Sequence, residues 1–157
     1  MWRLLVSWFL VLLVPLSSCA MTPKSQLDEI KCCANLEASE WKALSYRDEK
    51  RLAKTLGNSV LTMAFGAHGQ MSGAAGCNRY AASYKLSAGK LEIGQTASTR
   101  MFCAEPEGLM RQESLFLKAI NRSATYSLKG SALHASQLEL RDSHGELLAI
   151  FERFSRP

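Results

Sequence analysis

Apolar residues recur at two different periods along this chain. From Trp41 onward they fall mostly at every second position, the repeat of a strand with one buried face. Trp41 and Ala43 open the series. Leu61, Met63 and Phe65 share a face, and Gly66-Ala67-His68-Gly69 turns the chain towards a strand around Met71. Tyr80, Ala82, Tyr84 and Leu86 alternate with Arg79, Ala81, Ser83 and Lys85, after which Ser87-Ala88-Gly89 turns into Leu91 and Ile93, which predicts a hairpin. Over residues 107–121 the period becomes helical: Leu109, Phe116, Leu117 and Ile120 share one face, while Arg111, Gln112 and Lys118 fall elsewhere. Pro106 suits the first turn of that helix, and Glu105 and Glu107 complement the positive end of its dipole. Three strands are predicted to follow, marked by Tyr126 and Leu128, by Leu138 and Leu140, and by Leu148 to Phe151 after the turn Asp142-Ser143-His144-Gly145. A second helix is expected over residues 48–56. Short strands with one well-marked helix predict a mainly β (α+β) fold, a small antiparallel barrel or sandwich.

Ahead of this domain lies a different segment. Residues 4–16 are apolar except for Ser7 and Pro15, follow Arg3, and close in Leu16-Ser17-Ser18-Cys19. The run is shorter than the roughly 20 residues a spanning helix needs, and it has the layout of a secretory leader. Small residues before a cysteine resemble a bacterial lipoprotein signal. That resemblance implies a signal peptide over residues 1–18, a lipidated Cys19 followed by a tether through residue 36, and a folded domain over residues 37–157. Several acyl chains on Cys19 would make attachment effectively permanent. Ala20, where retained lipoproteins carry aspartate, implies the inner leaflet of the outer membrane, facing the periplasm.

Without the leader, 139 residues remain, enough for one domain with a single core. They carry a formal charge of +4, with the two signs interleaved; even the dense patch Lys50, Arg51 and Lys54 adjoins Asp48 and Glu49. Such mixing describes a solvated surface and argues against a nucleic-acid partner. Four cysteines remain after Cys19, and an exported chain keeps them where disulfides persist. They allow three pairings, and the neighbours Cys32 and Cys33 complicate the choice because bridging them forces a strained ring; a Cys77–Cys103 bridge is favoured. Cys32 and Cys33 could bond to each other, bond to a partner, or stay thiols. No metal site is expected, since these spacings lack the gap of zinc knuckles and no histidine falls at ligand distance in sequence.

Candidate chemistry is sparse. A nucleophilic Cys77 would need a neighbouring base, and His68, His134 and His144 are dispersed. Gly76-Cys77-Asn78 reads instead as a tight bend, a bridge anchor and a side chain that bonds local backbone. Ser39 and Lys42 match a Ser-x-x-Lys pattern without its companion elements, and residues 69–73 miss the nucleophile-elbow spacing by one residue. Glu105 and Glu107 sit where helix starts carry acids, and no phosphate-binding or dinucleotide glycine loop is present. No catalytic residue and no cofactor is assigned, and a non-enzyme is expected.

The order of motifs resembles the META domain, the HslJ-like family of bacterial envelope proteins. The residues that carry the resemblance are Trp41; Met71-Ser72-Gly73 leading to Gly76-Cys77-Asn78-Arg79-Tyr80; Tyr84; Leu91-Glu92-Ile93-Gly94; Thr99-Arg100-Met101-Phe102-Cys103; Glu113 with Phe116-Leu117; Tyr126; and Leu138-Glu139-Leu140 through Gly145. The resemblance implies an incompletely closed antiparallel barrel with one helix packed across it, similar to the pilot lipoproteins of secretion systems. It further implies a structural role for Gly76, Asn78, Thr99, Arg100 and Glu113, with Arg100 pairing Glu113, and an association with envelope stress, heat induction, drug tolerance and virulence. Cys32-Cys33 and a longer connection over residues 130–136 depart from the family pattern. The expected function is therefore that of an outer-membrane-anchored periplasmic lipoprotein that binds or supports an envelope component, protein or lipid. The alternatives are a carrier for a lipid or other apolar ligand and an inhibitor of envelope proteases.

Overall fold

A computed structural model of the protein describes residues 36–154 apart from Ala88, Ala132 and Leu133. The expected signal peptide, the lipidation site Cys19 and the pair Cys32 and Cys33 lie outside the described residues. Ten strands and one helix are present among those described: β1 (Ser39–Arg47), β2 (Leu52–Lys54), β3 (Thr62–Phe65), β4 (Gln70–Ala74), β5 (Arg79–Ser87), β6 (Lys90–Ile93), β7 (Ala97–Ser98), α1 (Leu109–Asn121), β8 (Thr125–Ser131), β9 (His134–Arg141) and β10 (Leu147–Arg153). Eight strands form an antiparallel barrel in the order β1, β3, β4, β5, β6, β8, β9, β10 and back to β1. The seam between β6 and β8 is narrow, with Lys90 opposite Thr125 as its one register pair. Around that pair the Leu91 N–H donates to the Ala124 carbonyl and the Tyr126 N–H to the Gly89 carbonyl. Closure is thus incomplete along β6.

The alternation read in the sequence lines the barrel. Along β5, Tyr80, Ala82 and Tyr84 are buried while Arg79, Ala81, Ser83 and Lys85 are exposed. Trp41, Met63, Phe65, Leu91, Leu138, Leu140 and Phe151 are all at most 1% exposed, and α1 adds Phe116 and Ile120 to the same cluster. Phe116 stands between Tyr80 and Phe151, with ring centroids 6.1 and 6.2 Å away. Fully burying a ring of this size contributes about 2–3 kcal/mol by area alone, so Phe116, with the equally buried Ile120, fastens α1 to the barrel.

Five expectations need correction. Residues 48–56 hold no helix: the Asp48 N–H donates to the Arg51 carbonyl in a tight turn, and β2 pairs antiparallel with β1, satisfying main-chain groups that an exposed strand edge would leave open. Helix α1 starts at Leu109, because Gly108 takes a left-handed conformation (φ +84°); Glu105, Pro106 and Glu107 therefore lie on the exposed approach, and the first turn carries no acid. Gln112, assigned to the outer side of α1, is buried. Within the expected connection, Gly130 and Ser131 belong to β8 and His134, Ala135 and Ser136 to β9, with Gly130 opposite Ala135 and Ser131 opposite His134. Leu36, assigned to the tether, is fully buried in the core.

Candidate functional site

The motif residues of the resemblance meet where the β4–β5 connection, the segment after β7 and helix α1 converge. Gly76 bends the chain at a left-handed φ of +108°, and a Cβ there would stand 2.8 Å from Leu109 Cδ1, so a side chain would both strain the turn and push on the helix. The Ala75 N–H donates to the Asn78 carbonyl across this bend. Next to it, Cys77 is bridged to Cys103, as expected, over a sequence separation of 26.

Asn78 is the hub. Its side chain is 1% exposed, yet each of its polar atoms is used twice. Oδ1 accepts from the Thr99 hydroxyl and the Met101 N–H, both at 2.7 Å. Nδ2 donates to the Met101 carbonyl at 3.0 Å and to Glu113 Oε1 at 2.8 Å. The Asn78 main-chain N–H donates to Glu113 Oε2 at 2.8 Å, so both oxygens of this buried carboxylate are occupied. Four side-chain bonds exhaust the donor and acceptor capacity of an amide. Thr99 adds a second tie to β5, accepting from the Arg79 N–H through its hydroxyl and donating its own N–H to the Arg79 carbonyl.

Of the expected site residues, Gly76, Cys77, Asn78, Thr99, Cys103 and Glu113 meet here and Arg100 does not, and two expectations are changed. Asn78 bonds residues 99–101 and α1 instead of its local backbone. Glu113 is held by Asn78, and Arg100, its expected partner, is exposed on the loop. Gln112 belongs to the same helix face: it accepts from the Leu56 N–H and donates to the Ser59 hydroxyl, which is why it points inward.

The product of this bonding is a loop, residues 99–108, fastened at its base and open to solvent along its length. At its tip Phe102 is 82% exposed and Met101 59%. The sequence reading named these residues only as part of a motif. The available signal was two large apolar side chains in a stretch with neither strand nor helix period, beside a bridging cysteine.

Elsewhere the candidate chemistry is absorbed by structure. The Ser39 hydroxyl donates to the Leu36 carbonyl and accepts from Trp41 Nε1, while Lys42 pairs with Glu152, so the two do not form a nucleophile and its base. Burial pushes the Tyr80 phenol up from its ordinary range, and its hydroxyl donates to the Thr62 carbonyl. Lys129, hydrogen-bonded to Glu139, holds that carboxyl below its ordinary range against the opposing effect of burial, with Arg141 adding to the pull. His68 and His144 lie in exposed turns. Among the described residues no three His, Cys, Asp or Glu side chains are grouped so as to hold a metal ion.

The family model for the META domain matches residues 34–154. No curated protein sequence matches the chain. Among solved structures, a protein from Burkholderia xenovorans determined by NMR is 25% identical with a TM-score of 0.64, the match covering 78% of this chain and 86% of that one. A second NMR structure is 24% identical with a TM-score of 0.54, covering 76% and 92%. A DUF4847 family protein from Bacteroides vulgatus, solved by crystallography, shares the fold at 12% identity and a TM-score of 0.51, covering 78% and 96%.

Proposed function

This chain belongs to the META domain family, and from that premise we propose that it is a lipid-anchored periplasmic protein, non-enzymatic, that acts by holding an envelope component against the loop of residues 99–108. One observation carries this reading. The polar groups of Asn78, Thr99 and Glu113 are consumed in bonding to one another and to Met101, and their combined effect is to immobilise a loop that displays Met101 and Phe102 to solvent. A rigid apolar display is what a binding surface needs, since little conformational entropy is lost when a partner docks. The anchor rests on the lipoprotein-like signal ending at Cys19, and Ala20 supports the outer membrane as its site. The carrier reading has less support: the barrel centre is filled by Trp41, Phe65, Phe116 and Phe151, and a groove of about 490 Å³ along β6 lies open at the surface.

Two measurements test it. Growth with labelled palmitate should label the protein, and Cys19→Ser should abolish the label. Crosslinking in intact cells followed by purification should recover a defined envelope partner whose yield falls when Met101 and Phe102 are both replaced by serine. An unlabelled protein refutes the anchor; recovery of monomer alone, with and without envelope stress, refutes the contact function.

A further inference from the structure

We infer that residues 100–105 form a substrate-mimicking inhibitory loop, with Phe102 presented to the apolar specificity pocket of a serine endopeptidase of chymotrypsin-like preference. The inference rests on the reading above that this loop is the contact surface, and it names the chemistry of the partner.

Thr99 and Met101 are held through main-chain groups, Cys103 through its side chain alone, and the residues on either side of Met101 are open. Thr99 is tied to Arg79 through its N–H and its hydroxyl. Met101 is tied to Asn78 through both its N–H and its carbonyl. Cys103 is held covalently by Cys77. Between them, the main-chain groups of Arg100 and Phe102 make no hydrogen bond to any described residue. Open groups at every second residue are the pattern of a strand edge awaiting a partner, and endopeptidases bind the residues around the scissile bond as an added strand. Phe102 occupies one of these open positions and is 82% exposed, so its ring and its peptide carbonyl are offered together.

Both sides of the Phe102–Cys103 peptide are also fastened to neighbouring residues of one bend. Met101, before the bond, is held by Asn78; Cys103, after it, is held by Cys77. Hydrolysis there adds one water and leaves a Phe102 carboxylate and a Cys103 amine, each still tethered within the site. Neither end diffuses away, so the cleaved chain remains a tight occupant of the cleft and the bond is readily re-formed. A flexible loop carrying the same residues would be a substrate; pre-organisation makes it an inhibitor.

A bilayer is the rival occupant for an exposed Met-Phe pair. It is disfavoured by the open main-chain groups, which would be left without partners in hydrocarbon, and by Glu105 and Glu107, both exposed on the same loop, whose repulsion by anionic head groups outweighs the attraction of the single exposed Arg100. A protein cleft satisfies those groups.

The test uses the full chain in mild detergent, titrated against chymotrypsin and trypsin with small chromogenic substrates. Chymotrypsin should be inhibited at close to one-to-one stoichiometry, trypsin spared, and the trace of nicked protein opened at Phe102–Cys103. Phe102→Ala should weaken inhibition at least about 100-fold, as expected for a central interface aromatic. Phe102→Arg should transfer inhibition from chymotrypsin to trypsin, a reversal that neither misfolding nor non-specific adhesion produces; circular dichroism should show both variants folded, because the side chain contributes little to the core. The inference is overturned if chymotrypsin is unaffected at micromolar protein, if the loop is cut rapidly without inhibition, or if Phe102 governs sedimentation with phosphatidylglycerol vesicles and not protease activity. A crosslinked partner that persists in Phe102→Ala also overturns it while leaving the proposed contact function standing.

Discussion

Replacing Asn78 by alanine measures how much of the fold the hub supports. The substitution removes four side-chain hydrogen bonds and leaves four groups behind: the Thr99 hydroxyl, the Met101 N–H and carbonyl, and Glu113 Oε1. The first three lie on an exposed segment and regain water, so each bond contributes about 0.5–1 kcal/mol net. Glu113 is only 6% exposed, and stripping a partner from a buried carboxylate oxygen adds about 1–3 kcal/mol. The sum is about 2.5–6 kcal/mol, a large fraction of the roughly 5–15 kcal/mol that stabilises a domain. For about 120 ordered residues this corresponds to a fall in Tm of roughly 10–24 °C. Urea titration followed by far-ultraviolet circular dichroism, without reductant, gives the free energy directly. Coupling sharpens the test: in a cycle with Glu113→Ala, the double variant should be about 2 kcal/mol less damaged than the two single changes would give if independent, because each removes the other's partner. A loss below about 1 kcal/mol for Asn78→Ala, or additivity within about 0.5 kcal/mol, refutes the assignment of Asn78 as the hub.

Three further outcomes follow from the same geometry. Reducing the Cys77–Cys103 bridge, or replacing both cysteines by serine, should lower stability by about 3.5 kcal/mol in the chain-entropy account of a 26-residue separation; matching urea midpoints with and without reductant would contradict it. Gly73→Ala should prevent soluble expression, since a Cβ at this position would stand 2.0 Å from the Thr62 carbonyl oxygen, whereas Gly57→Ala, with nothing within 4 Å of the new atom, should change the midpoint little. The Glu139 carboxyl is held below its unfolded value by Lys129 and Arg141, so its contribution is present above the ordinary glutamate range near pH 4.3 and is lost as pH falls through the lower folded value. Glu139→Gln should therefore be less stable than the parent at pH 7, with the gap closing on acidification from pH 5 to pH 3; a gap independent of pH would exclude the ion pairs as its source.

The barrel was legible because its strands obey a local rule. Alternation in residues 79–87 identifies the inward face of β5 without knowledge of its neighbours, and the helical spacing of Phe116 and Ile120 does the same for α1. What escaped was set by partners distant in sequence. Gln112 and Glu113 are polar residues on a buried face, and they are admitted there only because Leu56, Ser59 and Asn78 arrive from segments between 35 and 56 residues away. Strand β2 is three residues long, too short to show a period, and exists through its pairing with residues 45–47 of β1. The start of α1 was misplaced because Glu105, Pro106 and Glu107 mimic a helix entrance, while the left-handed backbone at Gly108 delays the helix from residue 107 to residue 109.

The site itself was half legible, for a reason that bears on its purpose. Cysteine count in an exported chain led to a favoured Cys77–Cys103 bridge, but no rule of composition assigns a buried amide to one loop instead of another. An apolar pair in place of Asn78 and Glu113 could fill the same volume and hold the helix to the barrel, yet contacts between apolar groups have no direction and would not fix residues 99–101. Hydrogen bonds to both main-chain groups of Met101 do fix them. The two largest apolar exposures in the described chain, Phe102 and Met101, then occur on a segment this securely fastened. A protein under selection for stability alone would turn such side chains inward or replace them, so their presence on a braced loop is what the proposed contact surface at residues 101 and 102 accounts for.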